Sequence, residues 1–184
     1  MNIKTLATIG LMVVATAAVG AQMGKTKMVG GAEMFPSKNI IENAVNSRDH
    51  TTLVAAVKAA GLVETLNGTG PFTVFAPTNA AFAKLPAGTV DTLLKPENKS
   101  MLTGVLTYHV VAGKWDSMAV AKLIKDGMGK AEIKTVAGGA LWASMSGKDL
   151  ILTDEKGGKA KVTIADVHQS NGVIHVIDTV LMPR

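Results

Sequence analysis

The side chains of this 184-residue chain best suited to moving protons or holding a metal are its four histidines, His50, His109, His168 and His175. Asp166 precedes His168 by two residues, a spacing that puts both on one face of a strand, and His175 follows seven residues later across a turn. Such a set could take a divalent ion. An exported metal-assisted enzyme using Asp166, His168 and His175 is therefore the alternative to a binding protein. The rest of the chain offers an enzyme little. It has no cysteine, no Gly-x-Ser-x-Gly elbow, no His-Glu-x-x-His and no phosphate loop. Gly157-Gly158-Lys159 lacks the first glycine and the following hydroxyl of such a loop and reads as a hairpin turn. His109 and His175 lie inside the apolar runs Tyr108-His-Val-Val111 and Val173-Ile-His-Val-Ile177. Histidines so placed are expected to be buried and hydrogen-bonded to backbone. The expectation is no catalytic residue, no metal and no cofactor.

The elements that must position these residues follow from the apolar period. Ser37 can cap a helix with Ile40, Ile41, Ala44 and Val45 on one face, and residues 49–52 can cap a second bearing Leu53, Val54, Val57 and Ala60. Gly61 suits its left-handed stop. Residues 72–76 are apolar and β-rich after the turn chemistry of Asn67-Gly-Thr-Gly-Pro71. Pro77 cannot donate to a sheet ladder, and Thr78 or Asn79 can cap a helix starting near Ala80. Further helices are predicted over 89–94, 97–106 and 116–125. Beyond Gly127 the period becomes two, predicting strands at 132–136, 140–145, 150–153, 161–167 and 173–181. Asp178, in the last of these, is costly to bury alone and is expected to meet a lysine, a backbone amide or the surroundings of Thr78. Helices gathered before strands predict an α+β domain with a mostly antiparallel sheet, which residues 72–76 join from afar. Residues 22–36, with Gly24, Gly30, Gly31 and Pro36 and no apolar period, read as a flexible leader to a single domain over 37–184.

Two segments, Phe72-Thr-Val-Phe-Ala-Pro-Thr-Asn-Ala-Ala-Phe82 and Asn171-Gly-Val-Ile-His-Val-Ile-Asp-Thr-Val-Leu-Met-Pro183, resemble the two signature stretches of the fasciclin domain family. Between them Tyr108-His-Val-Val-Ala-Gly113 resembles the family's tyrosine-histidine motif, in the expected order and spacing. The resemblance covers about residues 37–183. It implies a compact wedge of twisted, mostly antiparallel strands with several short helices, and an extracellular adhesion or interaction module without a reaction. It also implies a binding role for Tyr108 and His109, whose counterparts belong to a partner face in animal members that bind integrins. Asp166 and Val167 match the aspartate and apolar residue of a second adhesive motif. Ile164 and Ala165 replace the charged pair that precedes that aspartate, and His168 replaces an apolar residue. The binding candidates are thus Tyr108, His109, Asp166 and His168. Those that set the fold are Phe75, Pro77, Thr78, Asn79, His175 and Asp178.

The amino-terminal residues set the expected compartment, and composition thins the list of partners. Met1-Asn-Ile-Lys4, an apolar run from Leu6 to Val19 and the small residues Val19-Gly-Ala21 have the form of a cleaved secretory signal over 1–21. Fourteen apolar residues fall short of the roughly twenty that span a bilayer, so no stable membrane insertion is expected after cleavage. The mature chain is expected to be secreted or periplasmic, and at 47% hydrophobic residues it can build a core without disulfides. The net charge of +5 comes almost wholly from lysines, which lack the bidentate fork used to read bases. With aromatics at 4% there is also no stacking ladder, so nucleic acid is not an expected partner. The expected partner is a cell-surface protein or polysaccharide. A carbohydrate-binding module is a further alternative, for which Trp115, Trp142 and Tyr108 are the rings available.

Overall fold

A computed structural model describes residues 25–184; the expected signal at 1–21 lies outside the described residues. The chain enters as a hairpin of β1, Lys27–Val29, and β2, Ala32–Met34. Gly30 and Gly31 turn it with φ of +58° and +75°, a conformation that only glycine adopts freely. Val29 and Met34 point inward and join the core. The flexible leader expected over 22–36 is therefore corrected from Lys27 onward. Two strands too short to show a period in sequence are held by burial of one side chain each.

Six α-helices and a strand follow, up to Tyr108. Asn39, rather than Ser37, caps α1, Ile40–Ala44, in a reciprocal capping box with Glu42. Helix α2, Thr51–Ala60, ends on Gly61 at φ +73° as expected; α3 is Val63–Asn67. After β3, Phe72–Pro77, the Thr78 hydroxyl accepts the Ala81 amide at 3.2 Å and starts α4, Asn79–Ala83. The chain then forms α5, Thr89–Leu93, and α6, Lys99–Tyr108. Strand β4, Val110–Ala112, leads to α7, Ser117–Asp126, which Asp116 caps through the Ala119 amide at 2.8 Å. The last third is strand: β5, Lys130–Lys134; β6, Ala140–Ser146; β7, Asp149–Thr153; β8, Lys159–Gln169; β9, Gly172–Ile177.

The main sheet has the order β4-β3-β9-β8-β7-β6-β5. Every pairing in it is antiparallel except β3 with β9, which run parallel in register from Phe72 opposite Gly172 to Pro77 opposite Ile177. Strand β9 is buried along its whole length, as a central strand covered on both faces must be. The sheet curls until it nearly closes: the Val136 amide, beyond β5, donates to the Val110 carbonyl in β4 at 2.8 Å. Two cores result. One lies under α1 to α6 and includes Ile40, Val57, Val74, Leu106 and Ile174. The other fills the curl beneath α7 with Phe75, Tyr108, Val120, Leu141 and Leu152. The outward side chains of β5 to β8 alternate with these buried ones and are exposed or half-buried among the described residues.

Candidate functional site

Tyr108 is the last residue of α6 and His109 its cap, so the chain turns from helix into β4 at this pair. Both side chains point into the interior, with relative exposures of 0% and 2%. The Tyr108 hydroxyl donates to the Ala140 carbonyl at 2.7 Å and accepts the Glu155 amide at 3.2 Å. Burial pushes its pKa up to about 12, partly offset by that amide. His109 Nδ1 donates to the Val105 carbonyl at 2.8 Å, and Nε2 accepts the Leu181 amide at 3.0 Å. Burial holds the ring neutral, with a pKa near 4. As direct contacts for a partner Tyr108 and His109 are corrected. The helix that delivers them runs against the curled sheet, so the rings have nowhere to point but inward.

Asp166 sits at φ +56° in a bulge where β8 slips register against β9. Its carboxylate accepts the Ser117 amide at 2.6 Å and the Ser117 hydroxyl, and so anchors the start of α7. Partial burial raises its pKa, but Ser117, then the nearby His175 and Lys27, outweigh that and hold the carboxyl below its ordinary value. Lys27 Nζ donates to the Ala165 carbonyl and ties the entry hairpin to the same bulge. His175 is buried, stacks on Phe75 with ring centres 5.7 Å apart, donates from Nε2 to the Trp115 carbonyl at 2.7 Å and accepts the Asp166 amide on Nδ1 at 3.4 Å. Burial lowers its pKa against the raising effect of the Trp115 carbonyl. His168 is half-buried, and its Nδ1 has no partner among the described residues. Asp166, His168 and His175 do not gather into a metal-sized cluster, and among the described residues no three histidines or carboxylates do. The bulge breaks the alternation on which the expected shared face depended.

The remaining fold residues lock the first signature stretch to the second. The Phe75 amide donates to the His109 carbonyl at 2.9 Å, and Pro77 closes the parallel pairing opposite Ile177. Asn79 does more than begin a helix. Its Oδ1 accepts the Thr52 amide at 3.0 Å and its Nδ2 donates to the Arg48 carbonyl at 2.8 Å, capping α2 from 27 residues away. Asp178 accepts the Lys161 amide at 2.9 Å and meets Lys84 at 3.7 Å, as its charge demanded. Asn171, whose Asn-Gly pair has turn chemistry, is buried. Its side chain accepts the Ile40 amide at 3.1 Å and donates to the carbonyls of Leu66, at 2.7 Å, and Gly68, at 2.9 Å. No local signal separates such an asparagine from an exposed one in Asn-Gly, because its partners lie about a hundred residues upstream.

The sequence pattern described as Fasciclin domain matches residues 48–183. The chain belongs to the fasciclin domain family. This fasciclin domain is similar to protein sll1483 of Synechocystis, at 49% identity over 159 residues that cover 86% of this chain and 81% of that one. It is also similar to the cell surface glycolipoprotein MPB83 of Mycobacterium bovis, 39% identical over 145 residues, 76% of this chain and 58% of the relative. Its fold matches the solved FAS1 domain pair from the insect cell adhesion molecule Fasciclin I with a TM-score of 0.71 at 18% identity, over 80% of this chain and 52% of that one.

With Tyr108 and His109 inside, what the fasciclin domain presents to solvent is different from what its motifs suggest. Of the four binding candidates, Asp166 and His168 retain partial exposure. On the outer face of β5 to β8, Lys130, Ser144, Thr153 and Lys159 border a concave trough. The sequence shows the alternation of these strands and offers Trp142 as a sugar-stacking ring, but gives their outward lysines and hydroxyls no role.

Proposed function

We propose that this chain is an attachment module of the cell exterior, secreted or periplasmic, that binds a cell-surface protein or polysaccharide and catalyses nothing. The observation that carries the reading is the use made of its polar interior. Tyr108, His109, Asp166 and His175 each fasten backbone groups of distant segments. A histidine held neutral between two backbone groups, as His109 is, has no free nitrogen for proton transfer. A rigid sheet with one face open is left as the working surface. The similar mycobacterial protein carries the cell surface in its name, and the solved structure of like fold comes from a cell adhesion molecule. Among the described residues no helix is long and apolar enough to cross a membrane. Recognition of neutral sugars by stacking is disfavoured because Tyr108, one of three rings on offer, is buried.

The test is binding of the labelled purified protein to intact cells of its source and to their isolated wall polysaccharide. Saturable binding at physiological salt supports attachment. Uniform, non-saturable adsorption that disappears with salt removes it.

A further inference from the structure

The outer face of β5 to β8 sets polar and charged side chains in rows. Register brings Lys130, Ser144, Ile151 and Lys161 into one row across four strands, and Glu132, Trp142, Thr153 and Lys159 into the next. The concavity between them has a volume of about 550 Å³. Its floor is made by Ser144, Ile151 and Thr153, and lysines stand along its sides. Three inter-strand spacings make it about 14 Å across.

The charges are unevenly matched. Lys161 is held by Asp149 at 2.8 Å, and Asp178 at the far rim meets Lys84. Lys130 leans over the Trp142 ring, 5.1 Å from its centre, and neither Lys130 nor Lys159 has a carboxylate partner among the described residues. Glu132, at the β5 edge, is the remaining counter-charge of these rows. Two free ammonium groups on opposite sides of a floor of hydroxyls present cations to a repeated anion and hydrogen-bonding groups to whatever lies between the anions.

We propose that this trough binds a strand of acidic polysaccharide, a polymer of uronate or similarly anionic sugars, and that Lys130 and Lys159 grip its carboxylates while Ser144 and Thr153 meet its hydroxyls. The proposal rests on the attachment reading above and names its partner class and its surface. A folded protein partner suits the trough poorly, because the core of a protein interface is apolar and aromatic and this floor offers Ile151 alone as a large aliphatic group. Nucleic acid suits it poorly too, since the trough lacks arginine and a stacking ladder.

The experiment compares three full-length proteins for binding to alginate, to neutral dextran and to intact cells. They are the wild type, the trough variant Lys130→Glu/Lys159→Glu, and the control Lys58→Glu/Lys122→Glu, which makes the same charge change at exposed positions of α2 and α7. All four positions are solvent-facing, and unchanged thermal midpoints verify folding. The expected result is alginate binding by the wild type, weakened about tenfold or more in the trough variant and less than about twofold in the control, with no binding to dextran. Equal weakening in both variants, equal binding to dextran, or no binding to alginate overturns the proposal. Saturable cell binding that the trough variant retains overturns the trough but keeps attachment. Absence of saturable cell binding by the wild type overturns attachment itself.

Discussion

His109 Nε2 accepts the backbone amide of Leu181 at 3.0 Å, so the tyrosine-histidine turn is fastened to a segment 72 residues later, at the end of the second signature stretch. Tyr108 performs the same service in another direction by bonding Ala140 and Glu155. The polar pair of the motif is thus a clasp between the two halves of the chain.

Tyr108→Phe keeps the ring in the second core and removes only the hydroxyl, leaving the Ala140 carbonyl and the Glu155 amide without that partner. The expected loss is about 1–3 kcal/mol in urea denaturation, with cell binding unchanged. Tyr108→Ala also empties the ring's volume and is expected to cost roughly 3–5 kcal/mol. A phenylalanine variant as stable as the wild type would show that the two bonds contribute nothing net.

Stability should fall as the solution is acidified below about pH 6.5. The unfolded chain protonates His109 near its ordinary value of 6.5, while the buried ring accepts a proton only near 4. Between those values the unfolded state holds more protons, so folding stability is full above the upper value and declines toward the lower one. The decline from His109 is roughly 3 kcal/mol at most. His50 and His175 are shifted in the same direction by burial. Urea midpoints from pH 7 to pH 4 check the sign, and His109→Gln should be less stable at pH 7 yet show a flatter slope.

Asn79→Ala should destabilise by about 1–2 kcal/mol, because α2 loses the acceptor of its Thr52 amide and Thr51 hydroxyl. Asn79→Asp retains the acceptor oxygen and loses the bond to the Arg48 carbonyl, so it should fall between the two. Hydrogen exchange of the Thr52 amide, faster in the alanine variant, locates the effect.

Gly172→Ala should be among the worst tolerated single changes, costing at least about 2 kcal/mol. A methyl group built at Gly172 would overlap the carbonyl oxygen of Phe72, its partner in the parallel pairing. Gly147→Ala, at a turn with open space around it, serves as the comparison. Its cost comes from the left-handed backbone alone, at φ +63°. Thermal midpoints of the two variants, with Gly172→Ala the lower, test the close approach.

Local chemistry made most elements legible. The change from a period near 3.6 to a period of two after Gly127 marked the helical and strand halves, and Thr78, Asp116 and Gly61 bound α4, α7 and α2 as their side chains or lack of one require. The signature stretches and the tyrosine-histidine turn carry the family in their residues alone. What sequence alone could not supply is direction. Whether Tyr108 faces a partner or the core depends on a curled sheet that brings Ala140 and Glu155, 32 and 47 residues later, to its hydroxyl, and an amphipathic ring suits either place. Asp166 lost its shared face with His168 because one residue in a left-handed bulge reverses the alternation of a strand, and nothing in the letters marks that residue. The entry hairpin, the buried Asn171 and the trough of β5 to β8 belong to the same class. Sequence determined which segments become helix or strand, since that depends on neighbours a few residues away. Tertiary structure decided which polar groups are clasps and which remain free to bind, because burial is settled by contacts that join residues scores of positions apart.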